Sequence, residues 1–318
     1  MPALLAARCR PPCTSRSPNR PLVLVIEPGP TPASVPLGGP TAERAPLRAG
    51  EQREQVGTCE QREQAGNETP SSPVAIVTGA SRGIGAAVAA RAAAAGFAVV
   101  VNYSADTAGA ANVVREIRND GGTAVALQAD VSDAAQVTRL FDAAAALGPV
   151  TAVVNNAGVT GDLIGPLVDV PAETIKRVLD VNVAGVLFMC QEAQRRMSTL
   201  DGGAGGAIVN ISSTATKAGS PGTWVHYAAS KGAVDVLTVG LATEAAPHGI
   251  RVNAVAPGST NTGLHAAAGM PDRVAKLSPT VPLGRGAEPD EVAAAVMWLL
   301  SGEAGYVTGI VLPVSGGR

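Results

Sequence analysis

The stretch V-A-I-V-T-G-A-S-R-G-I-G at residues 74–85 sets a short β-branched run against a glycine-rich loop, and an alanine-rich segment follows directly. A strand, a tight loop and a helix in that order aim the loop's backbone N–H groups and the positive end of the helix dipole at one point in space. Gly79, Gly83 and Gly85 let the chain turn sharply and lie close to a pyrophosphate, with Ser81, Arg82 and Ile84 completing the cradle. A glycine-rich loop by itself signals only a turn. Its position between strand and helix is what points to a dinucleotide.

The same alternation continues to the end of the chain. Short apolar runs at 74–77, 98–102, 124–128, 152–154, 207–211, 251–255 and 310–312 predict seven buried strands. Helical periodicity covers 84–95, 108–119, 134–147, 172–197, 227–245 and 290–300, with Gly96 and Gly121 placed as C-terminal stops. Repeated βα units predict right-handed crossovers and a parallel sheet covered on both faces, the α/β doubly wound plan of a Rossmann fold, in one domain over 73–318.

Residues 1–72 read differently. They hold twelve of the 24 prolines and none of the eight aromatics, and they repeat E-Q-R-E-Q-V-G (51–57) as E-Q-R-E-Q-A-G (60–66). Such a segment buries too little apolar surface to offset its conformational entropy, so a disordered tail is expected, with a single apolar run at 22–26. Residues 1–20 are free of acids and carry four arginines, a faint transit-peptide pattern without an amphipathic period. A start codon downstream of the tail is equally compatible with this composition.

The charge balance, 24 basic against 26 acidic residues, gives no footprint for nucleic acid or anionic lipid. No apolar run approaches the ~20 residues of a membrane span. Four cysteines and three histidines lack metal-ligand spacing, and no disulfide framework is expected. The partner expected is a small molecule, in the cytoplasm.

The loop spacing T-G-x-x-x-G-I-G resembles that of the short-chain dehydrogenase/reductase family, and its other elements follow in order. They are A-D-V (129–131), N-N-A-G (155–158), V-N-V (181–183), I-S-S (211–213), Y-A-A-S-K (227–231) and P-G-S-T-N-T (257–262). The resemblance covers nearly all of 73–318. It implies an oxidoreductase that interconverts a carbonyl and a secondary alcohol. It also implies that Asp130, with Val131 beside it, meets the adenine, that Asn156, Ala157 and Gly158 pack on the adenosine side, and that Thr262, past the Pro257-Gly258 turn, meets the nicotinamide carboxamide. A homotetramer through the helices at 172–197 and 227–245 and the C-terminal segment is implied as well. Pro313 stands in that segment where relatives carry a polar residue.

The end of the second strand decides between cofactors, because enzymes that use NAD place a carboxylate there for the adenine ribose. Tyr103 occupies that place, between Asn102 and Ser104. No like charge then opposes a 2′-phosphate, and Arg82 could pair with one, so NADP(H) is preferred and NAD(H) stays possible.

Tyr227 and Lys231 are four residues apart, which on a helix brings both side chains out of one face. A phenol near pKa 10 needs a neighbouring positive charge to become a useful acid/base, and the ammonium with an oxidised nicotinamide supplies it. By resemblance Lys231 also holds the nicotinamide ribose, Ser213 holds the substrate oxygen, and Asn182 supports a water chain that returns the proton. The serine usually stands thirteen residues before the tyrosine. Here Thr214 holds that place and Ser213 is one further, but Ser213 completes I-S-S at a strand end, and Gly219, Pro221 and Gly222 can absorb the extra residue. Asn182 also reads as a structural asparagine at a helix irregularity.

The segment 259–285 has no clear period and is expected to be a mobile substrate lid. The string V-H-Y-A-A-S-K-G resembles glucose 1-dehydrogenases, while the overall plan is similar to 3-oxoacyl-(acyl carrier protein) reductases, for which Arg273, Lys276 and Arg285 could meet an acidic carrier. A regulator or scaffold that senses the cofactor without turnover is the alternative from another class.

Overall fold

A computed structural model describes residues 72–161 and 163–318; the tail and its apolar run at 22–26 lie outside them. Seven strands form one parallel sheet: β1 (Val74–Val77), β2 (Ala98–Tyr103), β3 (Thr123–Gln128), β4 (Val150–Asn155), β5 (Gly206–Ile211), β6 (Ile250–Pro257) and β7 (Val311–Val314). Their order is β3-β2-β1-β4-β5-β6-β7, so chain direction across the sheet reverses between β1 and β4. That reversal opens a crevice beyond the C-terminal ends of those strands, where ligands of such sheets bind.

Alternation along the strands builds two cores. Val74, Ile76 and Val100 face the helices α3 (Ala134–Ala145), α5 (Gly185–Met197) and α7 (Val225–Ala245). Ala75, Val77, Val99 and Val101 face α1 (Gly83–Ala94), α2 (Thr107–Asn119) and α10 (Pro289–Leu300). The inner strands are therefore buried on both faces, as crossover helices on both sides require.

The edge strands depart from the expectation of seven buried strands. β3 exposes Thr123, Ala126 and Gln128 and β7 is only partly covered; each has a neighbour on one side alone. In β7 the carbonyls of Ile310 and Val314 accept from Ala254 and Gly258 on β6, which turns the backbone of Pro313 to the outer edge. A proline is tolerated there because no ladder donor is lost.

Local signals hold at the helix ends. Gly96 and Gly121 have φ of 92° and 84°, the left-handed stops their positions suggested. Asp106 caps α2 by accepting from Gly109 N at 2.9 Å, and Asp133 caps α3 through Ala135 N and Gln136 N. The helix expected over 172–197 is broken: α4 (Ala172–Leu179) passes into α5 through a π-helical turn at Asp180–Ala184. Asn182 sits in that turn, and its side-chain amide bonds the Val159 backbone in both directions. Between β5 and α7 lies a short α6 (Ala215–Ala218), and the segment 259–285 folds as α8 (Gly263–Ala267), α9 (Arg273–Leu277) and a 3-10 turn at Ser278–Thr280.

Candidate active site

A cleft of about 800 Å³ runs along the C-terminal ends of the strands. All the sequence-predicted site residues line it except two, Gly85 and Asn182. Those two lie just beneath its surface and act through neighbours.

The glycine loop forms one end. Gly79 and Gly83 have φ of 60° and 59°, which a side chain would resist. A Cβ on Gly85 would stand 2.5 Å from Asn156 Nδ2 and 2.6 Å from the Gly79 carbonyl. Asn156 locks the loop by donating to the carbonyls of Thr78 (2.9 Å) and Gly79 (3.0 Å), and Thr78 Oγ1 accepts from Asn156 N and Ala157 N at 3.0 Å. No side chain caps α1 and no acid lies in its first turn, which leaves its N–H groups open toward the cleft. A pyrophosphate fits this cradle.

The adenosine end carries Tyr103, Asp130, Val131 and Arg82, together with a residue the sequence reading missed. Asp106 bonds to Gly109 N and to Ser81 and stands near Arg82, and these hold it below the usual carboxylate range in spite of some burial. Its D-x-x-G cap pattern was the available signal. Asp130 loses solvation, yet Ser132 and Arg177 outweigh that and lower its pKa. One of its oxygens accepts from Ser132 N and Oγ, and the other pairs with Arg177 at 3.1 Å.

The other end is built from β5, α7 and the π turn. Tyr227 and Lys231 leave one face of α7, both buried. Lys231 Nζ donates to the Ile211 carbonyl at 2.7 Å and stands 5.9 Å from the Tyr227 ring centre. Burial brings the ammonium down to about 8, against the pull of Asp235 one turn on, whose carboxylate accepts from Ser212. The Tyr227 phenol moves up, not toward neutrality. Burial outweighs its bond with Ser213, and the neighbouring lysine does not reverse this.

Ser213 lies by the Tyr227 phenol and works to lower its pKa, while its Oγ accepts from Ala215 N at 3.1 Å. Thr214 Oγ1 instead donates to the Pro257 carbonyl at 3.3 Å. Asn182 is fully buried; its Oδ1 accepts from Val159 N at 2.9 Å, and its Nδ2 donates to Val159 O at 2.8 Å and Ser230 Oγ at 3.0 Å. Gly158 lies between this amide and the Lys231 ammonium, each 3.4 Å from where a Cβ would sit. Thr262 lines the cleft as the cap of α8, and its methyl faces Gly83. The three lid cations separate: Arg273 lines the cleft, Arg285 is held by Glu291, and Lys276 does not line it.

Comparison with known proteins agrees with this geometry. A family model described as enoyl-(acyl carrier protein) reductase matches residues 79–318. The crystal structure of a short-chain type dehydrogenase/reductase from Mycobacterium marinum superposes with a TM-score of 0.71 at 36% identity, covering 78% of this chain and 96% of that one. The chain belongs to the short-chain dehydrogenase/reductase family. It is 48% identical over 246 residues to the uncharacterized oxidoreductase YgfF of Escherichia coli, covering 77% of this chain and 99% of that protein. It is 44% identical over 247 residues to the 3beta-hydroxysteroid dehydrogenase 1 of Eggerthella lenta, covering 76% and 92%. It is accordingly an oxidoreductase acting on CH–OH groups, of a family that uses NAD(P).

Proposed function

We propose that this short-chain dehydrogenase/reductase interconverts a ketone or aldehyde and its alcohol with NADP(H), Tyr227 serving as the acid/base. The observation that carries the reading is the joint presence of Tyr227, Lys231 and Ser213 on one wall of the cleft. The glycine loop and α1 would hold the pyrophosphate, Lys231 the nicotinamide ribose and Thr262 the carboxamide. A bound nicotinamide supplies a hydride to the carbonyl carbon, or takes one from the alcohol carbon.

In reduction Ser213 donates to the carbonyl oxygen while the Tyr227 phenol gives that oxygen its proton. Its raised pKa keeps Tyr227 protonated before reaction, the state a reductase needs. Lys231 stabilises the phenolate left behind, and Asn182 fixes the backbone around Val159 beside it. Both Nδ2 hydrogens of Asn182 are used, and Oδ1 keeps a second lone pair with which it would support the water chain that returns the proton.

Preference for NADP(H) is supported by Tyr103 in place of a carboxylate, by Arg82, and by the engagement of Asp106 with its own helix. Assembly as a homo-oligomer is supported by the exposed Leu187, Val236 and Val239 on α5 and α7, an apolar face without a partner in a single chain. Among the described residues no helix is long and apolar enough to cross a membrane, and a cytoplasmic site is our reading.

The deciding experiment follows NADPH oxidation across sugars, 3-oxoacyl thioesters and simple ketones for the parent and Tyr227→Phe. Loss of at least about 1,000-fold in kcat is expected for removal of the acid/base. Equal turnover by the variant would exclude the mechanism, and cofactor binding without oxidation of any carbonyl would favour a regulator.

A further inference from the structure

The cleft changes electrostatic character along its length. Its two lining carboxylates, Asp106 and Asp130, lie at the adenosine end and are both engaged by donors of the fold. The lining residues from α6, α8, α9 and the C-terminal segment include Lys217, His265, Arg273 and Arg318 but no Asp or Glu.

Arg273 is the best-defined of these. Its guanidinium stacks 4.6 Å from the centre of the Trp224 ring. Its side-chain bond is to the Met270 sulfur at 3.5 Å, and among the described residues it joins no ion pair. Burial and the nearby Arg318 both work against its charge. A half-buried cation in that position is costly unless an anion completes it.

Trp224 ties this cation to the reaction centre. The indole is 3% exposed, packs in one cluster with Tyr227 and stands three residues before it in the chain. His265 stacks on the same indole, with centroids 5.9 Å apart and planes 9° from parallel. Two buried nitrogens, Trp224 Nε1 and His265 Nδ1, have no hydrogen-bond partner among the described residues. The contact with the indole uses no N–H donor, so apart from the Nη1 bond to the Met270 sulfur the guanidinium keeps donors that match a planar carboxylate in two parallel bonds.

We propose that Arg273, seated over the Trp224 ring, binds a carboxylate of the substrate, so that the carbonyl presented to Tyr227 belongs to an oxo acid and the product is a hydroxy acid. This rests on the redox reading above, and the test separates the two.

NADPH oxidation is measured with pyruvate, acetoacetate and levulinate, each beside its methyl ester, for the parent and Arg273→Gln. At least one acid should exceed its ester by about tenfold or more in kcat/KM, through KM, and in the variant that ratio should collapse toward one. Turnover does not have to be the only readout. The chain has two tryptophans, so Trp298→Phe leaves Trp224 as the sole indole, whose fluorescence should respond saturably to levulinate and not to its ester.

Esters turned over as well as all three acids, or an acid preference unchanged in Arg273→Gln, would overturn the carboxylate site while leaving the oxidoreductase reading intact. Saturable levulinate binding lost in Arg273→Gln, with no carbonyl reduced, would uphold the site and sink the redox reading.

Discussion

Lys231 spends a hydrogen bond of 2.7 Å on the Ile211 carbonyl while its nitrogen stands 5.9 Å from the centre of the Tyr227 ring. It therefore influences the phenol as a nearby charge, and burial has already weakened that charge. In the folded chain Lys231 releases its proton near 8, against 10.5 for an ordinary lysine. Between those values the unfolded chain binds the proton that the folded chain has lost. Stability should accordingly rise with pH across that window, by up to about 1.4 kcal/mol per unit. Urea unfolding of the parent and of Lys231→Met at several pH values checks this: the stability difference between them must change in the parent's favour above pH 8.

Ser213 and Thr214 compete for one role, and their hydroxyls point to different partners. Ser213 lies by the Tyr227 phenol and works to lower its pKa, whereas Thr214 donates to the Pro257 carbonyl. Ser213→Ala should lower kcat by about 100-fold or more, the loss of one preorganised donor. It should also move the acid limb of alcohol oxidation to higher pH, since the bond with Ser213 lowers the Tyr227 pKa. Thr214→Ala should stay within a few-fold of the parent, and the reverse ranking would transfer the role.

The proposed preference for NADP(H) rests on Tyr103 and Arg82, with Asp106 engaged by its own helix. Tyr103→Asp should shift the ratio of kcat/KM with NADPH to that with NADH toward NADH by about tenfold or more, through like-charge repulsion of the 2′-phosphate. Arg82→Gln should move it the same way. An unchanged ratio in both variants would remove the basis for NADP preference.

Gly85 sets the depth of the phosphate cradle without lining it. Gly85→Ala would press a methyl to 2.5 Å from Asn156 Nδ2 and 2.6 Å from the Gly79 carbonyl. Backbone cannot yield there without opening the loop. A loss of about 1–3 kcal/mol in stability is expected, together with weakened NADPH binding in a fluorescence titration.

The apolar face of α5 and α7 gives a test of assembly. Val236 is 75% exposed on it, and Leu187 45%. Val236→Glu would place a charge in any contact made there, and sedimentation velocity should then show a smaller species than the parent. An unchanged sedimentation coefficient would move the interface elsewhere.

The order of elements was legible because each strand is a compact β-branched run and each crossover an alanine-rich helix; β1 falls on the residues its composition indicated. The form of the π turn was not legible, since apolar periodicity runs through it; the sequence offered only an asparagine at a helix irregularity, and the Val159 backbone that Asn182 bonds lies 23 positions away. The glycine loop and the Tyr-x-x-x-Lys pair could be read from spacing because they are local, whereas the other cleft residues came from the family resemblance. Trp224, His265 and Arg273 come from three separate elements, and no spacing announced their stack. Burial was likewise unreadable: it works to raise the Tyr227 phenol, against the downward pull expected from the ammonium and an oxidised nicotinamide.

Pro313 leaves one more consequence. Of the two residues in β7 whose backbone faces away from the sheet, Val311 and Pro313, only the first owns an amide hydrogen. A strand arriving from outside would find one of the two amide donors missing, which works against extension of the sheet along this edge.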